Sequence, residues 1–297
     1  MELSLAAPDH RARFTSIDRT WLLGASMVSV QIGGGVAARM MEHIGAPAVV
    51  MFRQGGAALV LLAWCRPALR GRSKREWATI AAFGCVLAVM NTSFYSAVER
   101  LPLGVAVTIE LIGPLGLAAV LSRRAADLGC VAVAVCGVAL LGGTGGGLDP
   151  VGLVFALVAA GGWAGYILLS RSAGQQSSGV GSLGLAMAIA AALVAPAGLG
   201  AGAALVHPRI LVLGGLVAVL AGLVPFSLEM VALRHVPARV FGVLMSLSPV
   251  AAALSGLVLL DQGLSARDAV AMLMVIGASV VTVRSSAAPA QRTAKAP

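Results

Sequence analysis

Three ionisable side chains stand inside apolar stretches of this sequence: Arg53, Glu110 and Glu229. Glu110 belongs to NTSFYSAVERLPLGVAVTIELIGPLGLAAVL (91–121), which also carries Asn91 and Tyr95 and recurs, altered, in the second half of the chain. A charge near a bilayer centre costs about 3 kcal/mol by insertion scales, so a chain that keeps one there usually uses it. A guanidinium, a carboxylate, an amide and a phenol can together hold a zwitterion. A carboxyl that is buried in one state and open in another can carry a proton. Either task requires several helices to bring these groups to one depth.

The composition points to such helices. Of 297 residues, 59% are hydrophobic and 11% charged, against roughly 25% charged in soluble domains. The 37 glycines suit close helix approach in a membrane. The net charge of +9 does not indicate nucleic acid, because the basic residues sit in short patches between apolar spans with no aromatic interleaving. The four cysteines lie in or beside apolar spans and read as packing residues. The four histidines are scattered over loops and ends, so no metal site is expected. GGTGGG (142–147) lacks the Gly-Lys-Ser/Thr ending of a phosphate loop and reads as a joint, leaving no cofactor motif.

A helix needs about 20 apolar residues to span a bilayer. Ten stretches fit: 20–40, 46–66, 77–98, 103–121, 128–143, 149–170, 179–199, 210–234, 238–258 and 268–283. They are continuous and do not alternate, which favours helices over a barrel. Residues 1–19 are polar and basic, and the stretch after them runs into further spans, so it reads as a membrane helix and not a cleavable signal. With the N-terminus inside, sixteen Lys and Arg fall on cytoplasmic segments and four (Arg39, Arg100, Arg209, Arg267) outside. That asymmetry places both ends in the cytoplasm. The expected organisation is a cytoplasmic segment (1–19), two five-helix units (20–143 and 149–283) and a disordered tail (284–297).

A shift of 135 residues lays RLPLGVAVTIELIGPL (100–115) on HVPARVFGVLMSLSPV (235–250), matching Pro102 with Pro237 and Pro114 with Pro249. Five helices per half is odd, so the second half enters the membrane in the opposite sense. Inverted repeats are a mark of secondary transporters, with substrate bound between them near the midplane. Membrane enzymes also contain duplicated bundles. Pro114, Pro225 and Pro249 are expected to bend the helices that hold them.

Arg53, Asn91 and Glu110 each lie seven residues from the outer end of a span, about 10 Å deep at 1.5 Å per residue. If their faces converge, Arg53 and Glu110 neutralise each other and Asn91 donates to the carboxylate, with Tyr95 one turn nearer the mouth. Two readings stay open: a polar site for a zwitterion, or an ion pair that fixes helix register. Glu229, one turn after Pro225, is either a proton-exchanging group or a partner of a basic neighbour such as Arg234. Trp163 and Tyr166, three residues apart on one helix, either line a cavity or pack the core. Gln31, in SVQIGGG, either lines the path or bonds across helices. Small residues in the fifth and tenth spans are compatible with a homodimer.

These residues carry a resemblance. SVQIGGG (29–35), GAPAVVMFRQG (45–55), 91–124, GGWAGYILLSR (161–171) and PFSLEMVALRHVPARVFGVLMSLSPVAAALSGLVLLDQ (225–262) resemble the EamA-type drug/metabolite transporter superfamily, and within it the threonine/homoserine exporter group. The resemblance implies a ten-helix inner-membrane carrier that exports small metabolites such as amino acids, coupled to protons, with Arg53, Asn91, Tyr95, Glu110, Trp163, Tyr166 and Glu229 at functional positions. Two departures stand out. Ser-Leu-Ser-Pro (246–249) replaces the family's Ser-Leu-Glu-Pro, and Asp261-Gln262 replaces a Gly-Glu pattern. The alternatives are a drug or other metabolite efflux carrier and, more distantly, a membrane enzyme or scaffold. The last would need a nucleophile and base that the spans do not supply.

Overall fold

Gly45 sets the first feature of the backbone. In this computed structural model it takes φ 73° and ψ 165°, a region open essentially to glycine alone. It divides the long first helix, α1 (Ser16–Cys65), into two segments back to back. Pro47 begins the second segment where its missing N–H matters least. The Glu99 carboxylate caps that new start, accepting from the Ala46 N–H at 2.8 Å, and a negative charge suits a helix N-terminus.

The structure describes residues 16–122, 125–142, 148–176, 179–233 and 244–286. The further helices are α2 (Lys74–Val98), α3 (Leu103–Glu110), α4 (Ile112–Ser122), α5 (Ala125–Gly142), α6 (Pro150–Gln176), α7 (Gly179–Gly198), α8 (Pro208–Val217), α9 (Val224–Leu233), α10 (Ser248–Leu260) and α11 (Ala266–Ser286). A 3-10 stretch (Leu199–Val206) follows α7, and a π-helical turn (Ala218–Leu223) joins α8 to α9. Among the described residues, seven helical stretches are long and apolar enough to cross a membrane. The first of them, Trp21–Cys65, is 45 residues long and contains the Gly45 break.

Local chemistry explains several boundaries. Ser73 starts α2 with a reciprocal cap: its hydroxyl accepts from the Glu76 N–H at 3.2 Å, and the Glu76 carboxylate accepts from the Ser73 N–H at 2.7 Å. Leu111 separates α3 from α4 because Pro114 has no N–H for the Glu110 carbonyl one turn back. Asp149, expected inside a span, instead caps α6: its carboxylate accepts from the Val151 and Gly152 N–H groups at 2.8 and 2.9 Å. Pro249 follows an interruption similar to that before Pro114. It stands in the first turn of α10, after a turn at 246–247 that follows helical residues 244–245.

α1 is the pillar of the bundle, touching α2, α7, α8, α9 and α10. Its first segment meets the second half of the chain through the glycines of SVQIGGG. A Cβ on Gly33 would lie 2.7 Å from the Ala221 nitrogen, so only glycine admits the π turn there. Around this pillar α2 packs on α6 and α7, α3 on α10, and α5 on α11. Between α5 and α11, Gly137 faces the Ala271 carbonyl. Trp21 and Trp64, 74% and 86% exposed, stand at opposite ends of α1. Amphipathic rings collect at such membrane–water boundaries.

Candidate functional site

Arg53 lies two turns beyond the Gly45 break and is 8% exposed. Its guanidinium donates through Nε to the Ala221 carbonyl at 3.0 Å and through Nη1 to Asn91 Oδ1. Its Cζ stands 5.7 Å from the Tyr95 ring centroid and 6.0 Å from that of Phe226. A buried cation is therefore held by two hydrogen bonds and two aromatic faces.

The Ala221 carbonyl is free because of Pro225. A residue with an N–H at that position would bond four residues back in an α register or five back in a π register. Pro225 can do neither, which leaves the carbonyls of Ala221 and Leu220 to other donors. Arg53 takes the first, and the Ser29 hydroxyl takes the second at 2.8 Å. Ser26 donates to the Pro225 carbonyl at 3.4 Å. Pro225 thus acts less as a simple kink than as the source of acceptors that bind α1 to α9.

Asn91 anchors to its own helix as well as to Arg53. Its Nδ2 donates to the Leu87 carbonyl at 2.7 Å. Tyr95 is buried and meets Phe94 edge-on at 5.3 Å. Glu110 closes α3 and is half-buried, within electrostatic reach of both Arg53 and Tyr95. The expected neutralising pair is not closed. Among the described residues the ion pairs within 4.0 Å are Arg39–Asp261 and Arg100–Asp149. Arg53 and Glu110 stand as separate charges in one cluster.

Tyr166 joins this cluster through aromatics, its ring 5.8 Å from Phe226 and 5.6 Å from Phe83. Trp163, on the same helix, is half-buried against the apolar core. Gln31 is buried, and its carbonyl accepts from the Ser255 hydroxyl at 2.8 Å, so its backbone ties α1 to α10. Glu229 is on α9, but its side chain lies outside the described residues, as do 234–243 and most of the second copy of the proline-anchored repeat. Four residues beyond those expected bear on the site or its end of the bundle. Phe226 stacks on Arg53, and Glu99 caps the second segment of α1. Gln262, reaching from beyond α10, accepts from the Leu103 N–H at 2.9 Å and caps α3. Gln54 is fully buried beside Arg53.

Comparison with known proteins agrees with this architecture. The model of the EamA-like transporter family matches residues 150–284. The threonine/homoserine exporter RhtA of Salmonella typhimurium strain LT2 is 38% identical over 259 residues, covering 86% of this chain and 88% of its own. That of Escherichia coli strain K12 is 37% identical over 270 residues, covering 89% and 91%. The chain belongs to the EamA-like transporter family. It is a multi-pass inner-membrane protein. A crystal structure 18% identical to this EamA-like transporter superposes with a TM-score of 0.59 over 89% of the chain and 96% of its own. At that identity the likeness concerns the fold alone.

A cavity of about 530 Å³ opens at one end of this transporter, lined by Arg39, Glu42, His43, Glu99, Arg209 and Asp261 among others. The sequence reading places these residues at the outer ends of spans or in outer loops, and the fold gathers them from four separate places in the chain. Of the missed residues, Phe226 and Gln54 had a signal. Each is the immediate neighbour of a residue already singled out, Pro225 and Arg53. Glu99 and Gln262 had none, because a capping partner from another part of the chain leaves no local spacing to read.

Proposed function

We propose that this protein exports a small zwitterionic amino acid, such as threonine or homoserine, from the cytoplasm. The reading rests on one observation. Among the described residues, Arg53 is a buried guanidinium with a carboxylate nearby but none at ion-pair distance. A charge buried without its counter-ion is held at a loss. A substrate carboxylate offers Arg53 the missing anion, and Glu110 in the same cluster offers a counter-charge for the substrate ammonium. The threonine/homoserine exporters to which the chain is similar handle solutes of this kind, as their names state.

Transport in this proposal is alternating access about the cluster. Ten spans form two inverted five-helix units with both termini cytoplasmic, and the cavity lined by Arg39 and Arg209 is the outer mouth. Protons move inward in exchange, on Glu110 or on Glu229. The break after Glu110 and the π turn before Pro225 supply non-helical backbone next to the charged groups, as the discontinuous helices of transporters do. Aromatic residues make up 4% of the chain, too few for the boxes that bind large planar cations, which argues against a drug carrier.

The test is efflux of a panel of amino acids from loaded proteoliposomes, comparing the natural protein with Glu110→Gln at matched protein content. The substitution keeps volume and removes charge. Loss of export with normal membrane content is the expected result. Full efflux in the variant would remove Glu110 from the site.

A further inference from the structure

Gln54 is 0% exposed, and neither Oε1 nor Nε2 has a hydrogen-bond partner among the described residues. Buried amides left in this state are uncommon, and each unpaired group carries a desolvation penalty. Nothing in the packing of α1 requires an amide there: Val50, Ala57, Ala58 and Leu61, neighbours on the same side of the helix, are all buried and apolar.

The direction of Gln54 follows from its neighbours. Successive residues of an α-helix are about 100° apart. Arg53 faces α2 through Asn91. Gly55 faces α7, where its Cβ position lies 3.7 Å from Ala191. Gln54 therefore projects between them, into the junction where α1, α2 and α7 all touch one another. It is the next residue along α1 from Arg53, about 1.5 Å further along the helix axis.

We infer that Gln54 is a specificity residue that hydrogen-bonds the side-chain hydroxyl of a hydroxy-amino acid. This rests on the zwitterion reading of the Arg53 site. An amide offers both a donor and an acceptor, and a hydroxyl needs both. Threonine and homoserine, named for the relatives, differ in shape but share an aliphatic hydroxyl. The Gln side chain has three torsions and can follow that hydroxyl from one to the other. A site built to bond a hydroxyl discriminates far more strongly against the analogue that lacks it than an apolar pocket can against the reverse exchange.

The experiment uses two isosteric pairs, threonine with valine and homoserine with norvaline, in each of which a methyl replaces the hydroxyl. Initial efflux rates from proteoliposomes are measured for the natural protein, Gln54→Leu and Gln54→Met. The natural protein is expected to favour the hydroxy member of each pair at least tenfold. Both variants are expected to lower that ratio tenfold or more. Thermal unfolding in detergent should show both variants at least as stable as the natural protein, because the unpaired amide is gone. Equal efflux of both members by the natural protein, or a ratio unmoved in both variants, overturns the role of Gln54 and leaves the zwitterion site standing. Efflux of no amino acid by the natural protein overturns both.

Discussion

Replacing Arg53 by Met and Asn91 by Leu, singly and together, tests whether the cluster is a coupled unit. Arg53→Met leaves two buried acceptors without a donor, the Ala221 carbonyl and Asn91 Oδ1. At about 1–3 kcal/mol for each orphaned group, the loss is roughly 2–6 kcal/mol. Removing a desolvated guanidinium returns several kcal/mol in the other direction. The two nearly cancel, so Arg53→Met should unfold within about 2 kcal/mol of the natural protein. Asn91→Leu keeps the cation and removes one of its two acceptors. Hydrogen bonds to charged groups contribute about 1.5–3 kcal/mol, and that is the expected loss. In the double variant neither orphan of this bond remains. Its stability should exceed the sum of the single effects by about 1–3 kcal/mol. Thermal unfolding in detergent measures this, at very roughly 2–4 °C per kcal/mol for a chain of this size. Proteoliposome efflux run in parallel should find no export from either variant that lacks Arg53. Additive losses would mean that Arg53 and Asn91 do not hold each other, and the account of a rigid, pre-formed cation site would fail with them.

Three further outcomes are expected. Glu229→Gln should lose the dependence of efflux on a pH gradient while retaining counterflow exchange, and an unchanged gradient dependence would clear Glu229 of proton transfer. Gly113→Ala should lose stability, on the order of several kcal/mol, or fail to accumulate, because the new Cβ would run into the Ala160 carbonyl oxygen and α4 would have to leave α6; near-normal unfolding would contradict that contact. Asp149 is held below its ordinary carboxylate range, first by the Gly152 N–H and then by the Val151 N–H and the Arg100 guanidinium, against a smaller opposing effect of burial. A lowered folded value means stabilisation that is complete above the ordinary range and lost as pH falls through the lowered one. Asp149→Asn should therefore lower stability at neutral pH and change it little in acid, where Asp149 is already protonated, so that the acid limb of a stability–pH curve flattens; an unaltered acid limb would show that the cap does not titrate with folding.

Much of the fold is written in the order of residues alone. Where backbone groups cannot bond to water, hydropathy and length decide which stretches become helices, and most of the expected stretches lie within helices described in the structure. The separation of 20–40 from 46–66 was legible from hydropathy and length, and the structure puts the break at Gly45, just before Pro47. The sequence places Arg53, Asn91 and Glu110 at one depth, because rise per residue is constant along a helix. What each of them bonds was not legible. Depth carries no direction, and the partner of a side chain depends on how helices rotate and cross. So Arg53 meets Asn91 and a carbonyl released by Pro225, some 170 residues away, and stands apart from the carboxylate that a count of charges assigned to it. Composition determined that polar groups lie within the membrane and roughly how deep. Only packing decided which of them are satisfied by the chain, and which, like Gln54, face the interior with no bond made among the described residues.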